Sequence, residues 1–130
     1  MAGMSDTLEN AVLDHALGRT ELAFDTTLFL SLHTADTSGT GTDTAGAEVS
    51  GGSYARQAIE FAAASGGTAT GPTSQVNFTG MPACTVKSIG IYTLVTSGVL
   101  YWLGDVTTEK TVLAGDTISV ATSQISVSLA

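Results

Sequence analysis

The segment TVKSIGIYTLVTSGVLYWLGDV, residues 85–106, decides the fold. Its first part, residues 85–95, is apolar at both alternating sets of positions, which is typical of a strand in the centre of a sheet. Thr96-Ser97-Gly98 is a turn signal, and residues 99–106 form a second strand signal behind it. The segment therefore predicts a β-hairpin whose first strand is central.

Further strand signals lie on both sides of this hairpin, separated by polar or glycine-rich turns. They are residues 28–33, 54–61, 76–78, 117–121 and 124–129. Several short strands with turns between them predict a mainly β protein, an antiparallel β-sandwich of the jelly-roll-like kind. No internal repeat or linker divides the sequence, so we expect residues 1–130 to form a single domain.

One helix and one long loop complete the predicted architecture. Residues 6–17 carry apolar side chains at helical spacing, with Asp6 as the expected N-cap, Glu9 three residues on, and Gly18 as the terminating residue. This predicts a short amphipathic N-terminal helix whose apolar face must pack on something, since twelve residues are marginally stable alone. Residues 34–53 show no period and are rich in Gly, Thr and Ser, which predicts a long surface loop.

The composition excludes two classes of partner. Charged residues make up only 12% of the chain, and four bases against twelve acids give a net charge of −8. Nucleic acids and anionic membrane surfaces need clustered Lys and Arg, so we expect neither as a partner. The start of the chain has neither the basic nor the apolar region of a secretory signal, and the sequence does not decide between Met1 and Met4 as the native start.

The position of the charges is more informative than their number. Nine of the twelve acids lie within residues 1–60, whereas residues 61–104 contain no acid and a single base, Lys87. A surface normally mixes charges of both signs, so a long neutral stretch is either buried or part of an interface. This pattern predicts a protein that associates with other copies or with a partner protein.

The sequence offers no catalytic constellation, and we expect no enzyme activity, cofactor or metal. His15 and His33 belong to no spaced cluster of ligands. No nucleophile lies in a recognisable elbow, and Gly39-Thr40-Gly41 lacks the rest of a phosphate-binding loop. Cys84 has apolar or neutral neighbours and is expected to be a small buried residue.

Five residues are the candidates for an interface: Tyr54, Arg56, Lys87, Tyr92 and Trp102. Arg56 lies on the polar face of an alternating strand, where the other interpretation is a solvated residue or one paired with a Glu. Trp102 is expected to be a core residue, with an interface anchor as the alternative. A carbohydrate-binding surface is a further alternative, but alternation places Tyr101 and Trp102 on opposite faces, which leaves at most one of them beside Tyr92.

Four stretches of the sequence together resemble a family of small structural proteins of tailed bacteriophages. They are EVSGGSYARQAIEF (48–61), LDHALGRT (13–20), LFLSLHTAD (28–36) and KSIGIYTLVTSGVLYWLGDVTTEKTVLAGDTISV (87–120). Members of this family are described as tail-fibre-like or as virion proteins. SGGSYARQ (50–57) is the most specific part of the resemblance. The resemblance implies a β-sandwich component of the virion surface, made in the host cytoplasm, and not an enzyme.

Size and composition favour one role within the virion. Fibres are usually long, repetitive and trimeric, whereas this chain is short and lacks heptads. We therefore predict a capsid decoration (cement) protein that binds the major capsid protein or another virion protein, with a tail or tail-fibre component as the alternative. We also expect self-association, as a homotrimer, because symmetric contacts strengthen such assemblies.

Overall fold

The computed structural model describes residues 3–23, 27–37 and 46–129. One helix and nine strands follow each other along these residues: β1 (Gly3–Met4), α1 (Asp6–Ala16), β2 (Leu28–His33), β3 (Gln57–Ile59), β4 (Thr68–Gly71), β5 (Val76–Phe78), β6 (Cys84–Tyr92), β7 (Leu100–Val112), β8 (Ile118–Val120) and β9 (Ile125–Ser128). All of the strand pairs are antiparallel. The predicted fold class, mainly β with an N-terminal helix, is confirmed.

The strands form one large and two small sheets. The large sheet has the order β1-β7-β6-β2-β3, and the small sheets are β4-β9 and β5-β8. Strand β6 is central, as its apolar character on both faces predicts. The turn after it is also confirmed, because Ser97 and Gly98 both have positive φ, and Thr93 and Val99 hydrogen-bond across it.

The core lies between the large sheet and the two small ones. Leu30 on β2 pairs with Ile91 on β6, which pairs with Trp102 on β7, so the three side chains lie on one face. Buried residues of the small β5-β8 sheet complete this core, among them Phe78, which is 1% exposed. Burial of these side chains between the sheets provides the main stabilisation of the fold.

The opposite face of the large sheet is covered by helix α1 and by parts of the predicted loop. Helix α1 contacts β7, and Leu8, Leu100 and Leu103 are buried outside the core cluster. This face also holds buried polar side chains, Ser31 and His33 of β2 and Ser88 of β6. The five-stranded sheet is therefore the middle layer of the molecule.

Helix α1 differs from its prediction at the N-terminus. Ser5, not Asp6, is the N-cap, and its Oγ accepts the Leu8 amide at 3.2 Å. The backbone explains this shift, because pairing of β1 with β7 fixes the Ser5 amide on the Tyr101 carbonyl and leaves Ser5 extended. At the other end Gly18 has a φ of +77° and donates to the His15 carbonyl, as predicted.

The predicted apolar face of α1 is only partly buried. Leu8 is 5% exposed, but Leu13 is 56% and Leu17 is 80% exposed. The helix is thus anchored through Leu8, with Val12 half-buried, whereas Leu13 and Leu17 are exposed. The expectation that the apolar face packs on something is therefore met by Leu8 and in part by Val12, but not by Leu13 or Leu17 within the described chain.

Several strands depart from their predicted bounds. Strand β6 ends at Tyr92, although the strand signal runs to residue 95, and of residues 54–61 only 57–59 form a strand, β3. Residues 68–71, which carry no strand signal, form β4 and pair with β9. Strand β7 extends to Val112, beyond the predicted end at 106, and bulges where residues 106–109 lie opposite Lys87.

The predicted loop over 34–53 is bonded to the sheet at both ends. Ser88 Oγ donates to the Ala35 carbonyl at 2.6 Å, and the Thr37 amide donates to Asp105 at 2.7 Å. Farther along the loop, Glu48 pairs with His33 in an isolated antiparallel β-bridge, and Val49 is buried against the core. The part of the loop over 38–45 lies outside the described residues.

Candidate functional site

The most concentrated polar arrangement is a cluster built around Arg56, which we call the Arg56 cluster; it comprises Glu48, Tyr54, Arg56 and Tyr92. The Arg56 guanidinium donates from Nε and Nη2 to the two carboxylate oxygens of Glu48, both at 2.9 Å. A bidentate pair of this kind is among the stronger charge-assisted contacts in proteins. Only 9% of the Arg56 side chain is exposed, so water screens the pair weakly.

A glycine turn brings Glu48 and Arg56 together. Gly51 and Gly52 have φ values of +103° and +55°, and a Cβ on Gly52 would lie 2.5 Å from the Gly80 carbonyl oxygen. The Ser53 amide donates to that same carbonyl at 2.8 Å. Residues without a side chain are required here, because the chain reverses direction in close contact with the backbone at Gly80.

Tyr54 connects the cluster to the edge of the large sheet. Its hydroxyl donates to Glu48 at 2.9 Å and accepts the Leu32 amide at 3.0 Å. Its ring stacks on Phe78 in the core, with 5.9 Å between centroids. The hydroxyl thus satisfies a backbone amide of β2 at the point where β2 stops pairing with β3 and starts to pair with residues 47–49.

Arg56 also fixes the turn between β6 and β7, residues 93–99, which we call the tip. Its Nη1 donates to the carbonyls of Leu94, at 3.0 Å, and Ser97, at 2.6 Å. Its guanidinium carbon lies 3.7 Å from the centre of the Tyr92 ring, a cation–π contact. One side chain therefore joins the loop after β2, the strand β6 and the tip.

The tip presents apolar side chains to solvent in this fixed conformation. Leu94, Val95 and Val99 are 54%, 50% and 43% exposed. No charged residue occurs between Lys87 and Asp105 in the sequence. An exposed apolar patch on an ordered segment is a signature of a contact site.

His33 lies beneath the cluster and is 1% exposed. Its Nε2 lies 2.8 Å from Ser31 Oγ, its Nδ1 is bonded to the Gly46 carbonyl, and its ring stacks on Tyr92. A carbonyl only accepts, so Nδ1 carries the proton that is bonded to Gly46, while Ser31 Oγ also donates to the Gly90 carbonyl at 3.1 Å. Ser31 is fully buried, and this pair has no access to a substrate.

Burial and hydrogen bonding shift the pKa values of the cluster. Burial lowers the pKa of His33. Burial alone would raise the pKa of Glu48, but the hydrogen bonds from Arg56 and Tyr54 together with the Arg56 charge outweigh it and lower that pKa. Burial raises the pKa of Tyr92. The cluster therefore contains an ionised pair above a neutral histidine.

The five predicted interface residues fall into two groups. Tyr54, Arg56 and Tyr92 converge in the Arg56 cluster, where their polar groups face each other. Trp102 packs against the core, and Lys87 lies at the β7 bulge with its Nζ 3.9 Å from Glu109. Tyr92 is covered by Arg56, so Tyr92 and Trp102 do not form the aromatic platform that a sugar site would require.

Sequence reasoning missed Glu48 as the partner of Arg56. The available signal was the reversal at Gly51-Gly52, which places a carboxylate and a guanidinium eight residues apart on facing arms. Within residues 3–23, 27–37 and 46–129, no group of three His, Cys, Asp or Glu residues is placed to hold a metal. Over the same residues, no helix has the length and apolar character of a membrane span.

A mainly β protein in which Arg56, paired with the partly exposed Glu48, hydrogen-bonds to an exposed apolar turn has an arrangement suited to a structural, contact-making module. The sequence matches the family described as podophage GP4 fiber I protein gp80 over residues 3–128. The chain therefore belongs to that family, and it is a bacteriophage virion structural protein with a tail-fibre-like role. No curated protein matches the chain.

Proposed function

We propose that the protein is a fibre-type component of the virion surface that docks on a neighbouring virion protein through the tip, residues 93–99. The observation that carries this proposal is the exposure of Leu94, Val95 and Val99 on a turn that Arg56 holds in place. A preordered contact loses little conformational entropy on binding, which favours affinity.

The chemistry of the tip defines the partner surface. The tip is apolar and uncharged, while the whole chain carries −8. It therefore fits an apolar, uncharged pocket of another protein, with the few large side chains acting as anchors. The family description, a fiber protein, favours the fibre role over capsid decoration, and capsid decoration of the major capsid protein stays a second prediction.

Self-association as a homotrimer is part of the proposal. Leu13 of α1 and Leu17, the C-cap of the helix, form a second apolar patch, which lies apart from the core. Symmetric association multiplies weak docking contacts, so a trimer would attach more firmly than one copy. The predicted role of Lys87 in an interface also remains a proposal, since Lys87 is 38% exposed at its side chain.

Replacement of apolar tip residues tests the proposal. L94S/V95S should fold normally, because both residues are half-exposed, and should lose binding to particles prepared without this protein by at least about tenfold. The matched control is L113S, because Leu113 is 71% exposed at the opposite end of β7. Equal binding by L94S/V95S and L113S would exclude the tip as the docking site.

Location in the particle separates the two virion roles. Immunogold labelling of intact particles should mark a small number of sites at the tail for a fibre component. Labels distributed over the whole head would instead establish capsid decoration and overturn the fibre role. The two outcomes are distinct whichever surface of the chain makes the contact.

A further inference from the structure

The structure contains a second surface feature, a polar groove between the edge strand β3 and the segment that leads into β5. The groove has a volume of about 770 Å³. Seven of the residues that line it carry polar or aromatic side chains: Thr27, Gln57, Glu60, Phe61, Ser74, Gln75 and Asn77. None of these residues belongs to the Arg56 cluster or to the tip.

Hydrogen bonds orient the amides of the groove. Gln75 Nε2 donates to Asn77 Oδ1 at 2.9 Å, and Ser119 Oγ donates to the same oxygen at 2.7 Å. Both bonds use the oxygen of Asn77, which leaves its Nδ2 hydrogens available as donors and the Gln75 Oε1 available as an acceptor. Gln57 Nε2 is bonded to the Ala55 carbonyl at 3.0 Å, so its oxygen is likewise an available acceptor.

Phe61 adds a flat apolar surface to these polar groups. Its ring lies against Gly71, where a Cβ would come within 2.7 Å of the ring carbon Cδ1. The glycine therefore supports one side of a ring that remains partly exposed in the groove. An aromatic ring beside fixed amides offers both an apolar platform and directional hydrogen bonds.

From this arrangement we infer that the groove binds a neutral, polyhydroxylated ligand, a short segment of uncharged polysaccharide. Hydroxyl groups donate and accept, which matches the mixture of amide donors, amide acceptors and the Glu60 carboxylate. No Lys or Arg lines the groove, and the chain carries −8, which disfavours an anionic ligand. This binding activity goes beyond the structural docking role proposed above.

An extended peptide fits the groove less well. Peptides that add to a sheet bind mainly through backbone hydrogen bonds along a free edge. Both flanking strands, β3 and β5, have only three residues, so each edge offers few backbone groups. The groove instead presents side-chain amides and hydroxyls, which are the groups that recognise sugars.

Side-chain NMR signals provide the test. Maltotriose, cellotriose and tri-N-acetylchitotriose are titrated into the ¹⁵N-labelled full chain, with sialyllactose as the anionic probe. We expect at least one neutral trisaccharide to shift the side-chain amide signals of Gln57, Gln75 and Asn77 with a Kd of about 1 mM or below, and sialyllactose to shift them less. Q75A and N77A should weaken binding at least about fivefold.

Q124A is the matched control, because Gln124 is an exposed amide outside the groove. Thermal unfolding of each variant establishes that it is folded. The inference is overturned if no neutral probe shifts these signals at roughly 10 mM, if Q75A and Q124A bind alike, or if sialyllactose binds best. Binding of an extended peptide with new protection of the β3 backbone amides would assign the groove to a protein partner instead.

Discussion

Arg56 connects three separate segments of the described structure through its side-chain contacts. It pairs with Glu48, covers Tyr92 and holds the tip through two carbonyls. A planar guanidinium can make all of these contacts at once, whereas an ammonium cannot. The structure shows that Arg56 positions the tip, and the interface role predicted for Arg56 from the sequence stays a prediction.

Replacement of Arg56 by Lys should show this geometry. R56K keeps the charge but loses the bidentate pair and the bonds to the tip, so we expect a loss of about 1–3 kcal/mol of unfolding free energy. Urea unfolding measures the loss, and NMR relaxation of residues 94–98 should show a more mobile tip. K87A is the control, because the exposed Lys87–Glu109 pair contributes little. A loss in R56K no larger than in K87A would contradict this assignment.

Acid should weaken the fold through His33. Its pKa in the folded state is below the ordinary 6.5, so protonation favours the unfolded chain. Stability is thus complete above pH 6.5 and is lost as the pH falls from there toward the folded pKa. Glu48 and Arg56 act on His33 in opposite directions, and Glu48, whose pKa is also lowered, adds a second loss below pH 4.5.

The variant H33Q isolates this contribution. Unfolding free energies measured in urea between pH 7.5 and 5 should fall in the wild type and fall less steeply in H33Q, because Gln does not titrate. E48Q should increase the loss of stability below pH 6.5, because removal of the Glu48 charge lowers the pKa of His33 further, and should lack the separate loss below pH 4.5. Parallel curves for the wild type and H33Q over the upper range would show that His33 is not the titrating group.

At the scale of elements, hydrophobic pattern identified the strands that contain large apolar residues. Strands β2 and β5 were predicted at their observed positions, because alternation of Leu, Val and Phe reflects burial on one face. The predicted turn at 96–98 lies within the tip, but residues 93–95 were predicted as strand. Strand β4 could not be predicted, since Thr68-Ala69-Thr70-Gly71 has no apolar signal and forms only by pairing with the distant β9. The Ser5 N-cap likewise depends on the pairing of β1, a contact that a local pattern does not reveal.

Helix α1 supplies a matched pair of leucines. L8A should cost about 2–4 kcal/mol, because Leu8 is buried under the helix, whereas L17A should cost less than about 0.5 kcal/mol, because Leu17 is 80% exposed. Chemical denaturation of both variants measures the difference. Equal losses would mean that the helix packs through its whole apolar face, as the sequence alone predicts.

At the scale of the whole molecule, the neutral stretch over 61–104 supplies both core and exposed surface. Val76, Phe78 and Ile91 are buried, whereas Leu94 and Val95 are exposed on the tip. The sequence predicted that this stretch is core or interface, but it could not show which of its residues are buried and which are exposed. That division depends on which strands form the outer edges of the three sheets.

The proposed homotrimer gives a prediction at the same scale. Light scattering of the purified chain should give a mass three times the 13.1 kDa of one copy. L13S/L17S should reduce that mass if the exposed residues of α1 contribute to the contact, since polar substitutions remove the apolar gain. A wild-type chain that remains a monomer at all concentrations tested would refute self-association in the absence of other virion proteins.

The bulge in β7 has a consequence for how the protein avoids uncontrolled polymerisation. Strand β1 covers β7 only at Trp102 and Leu103, so among the residues described the rest of this long strand is an open margin of the sheet. A straight, unpaired edge strand can pair with a strand of another chain. The bulge at residues 106–109, which includes Glu109 and is followed by Lys110, interrupts the regular edge. We therefore expect this bulge to hinder edge-to-edge pairing between copies of the protein.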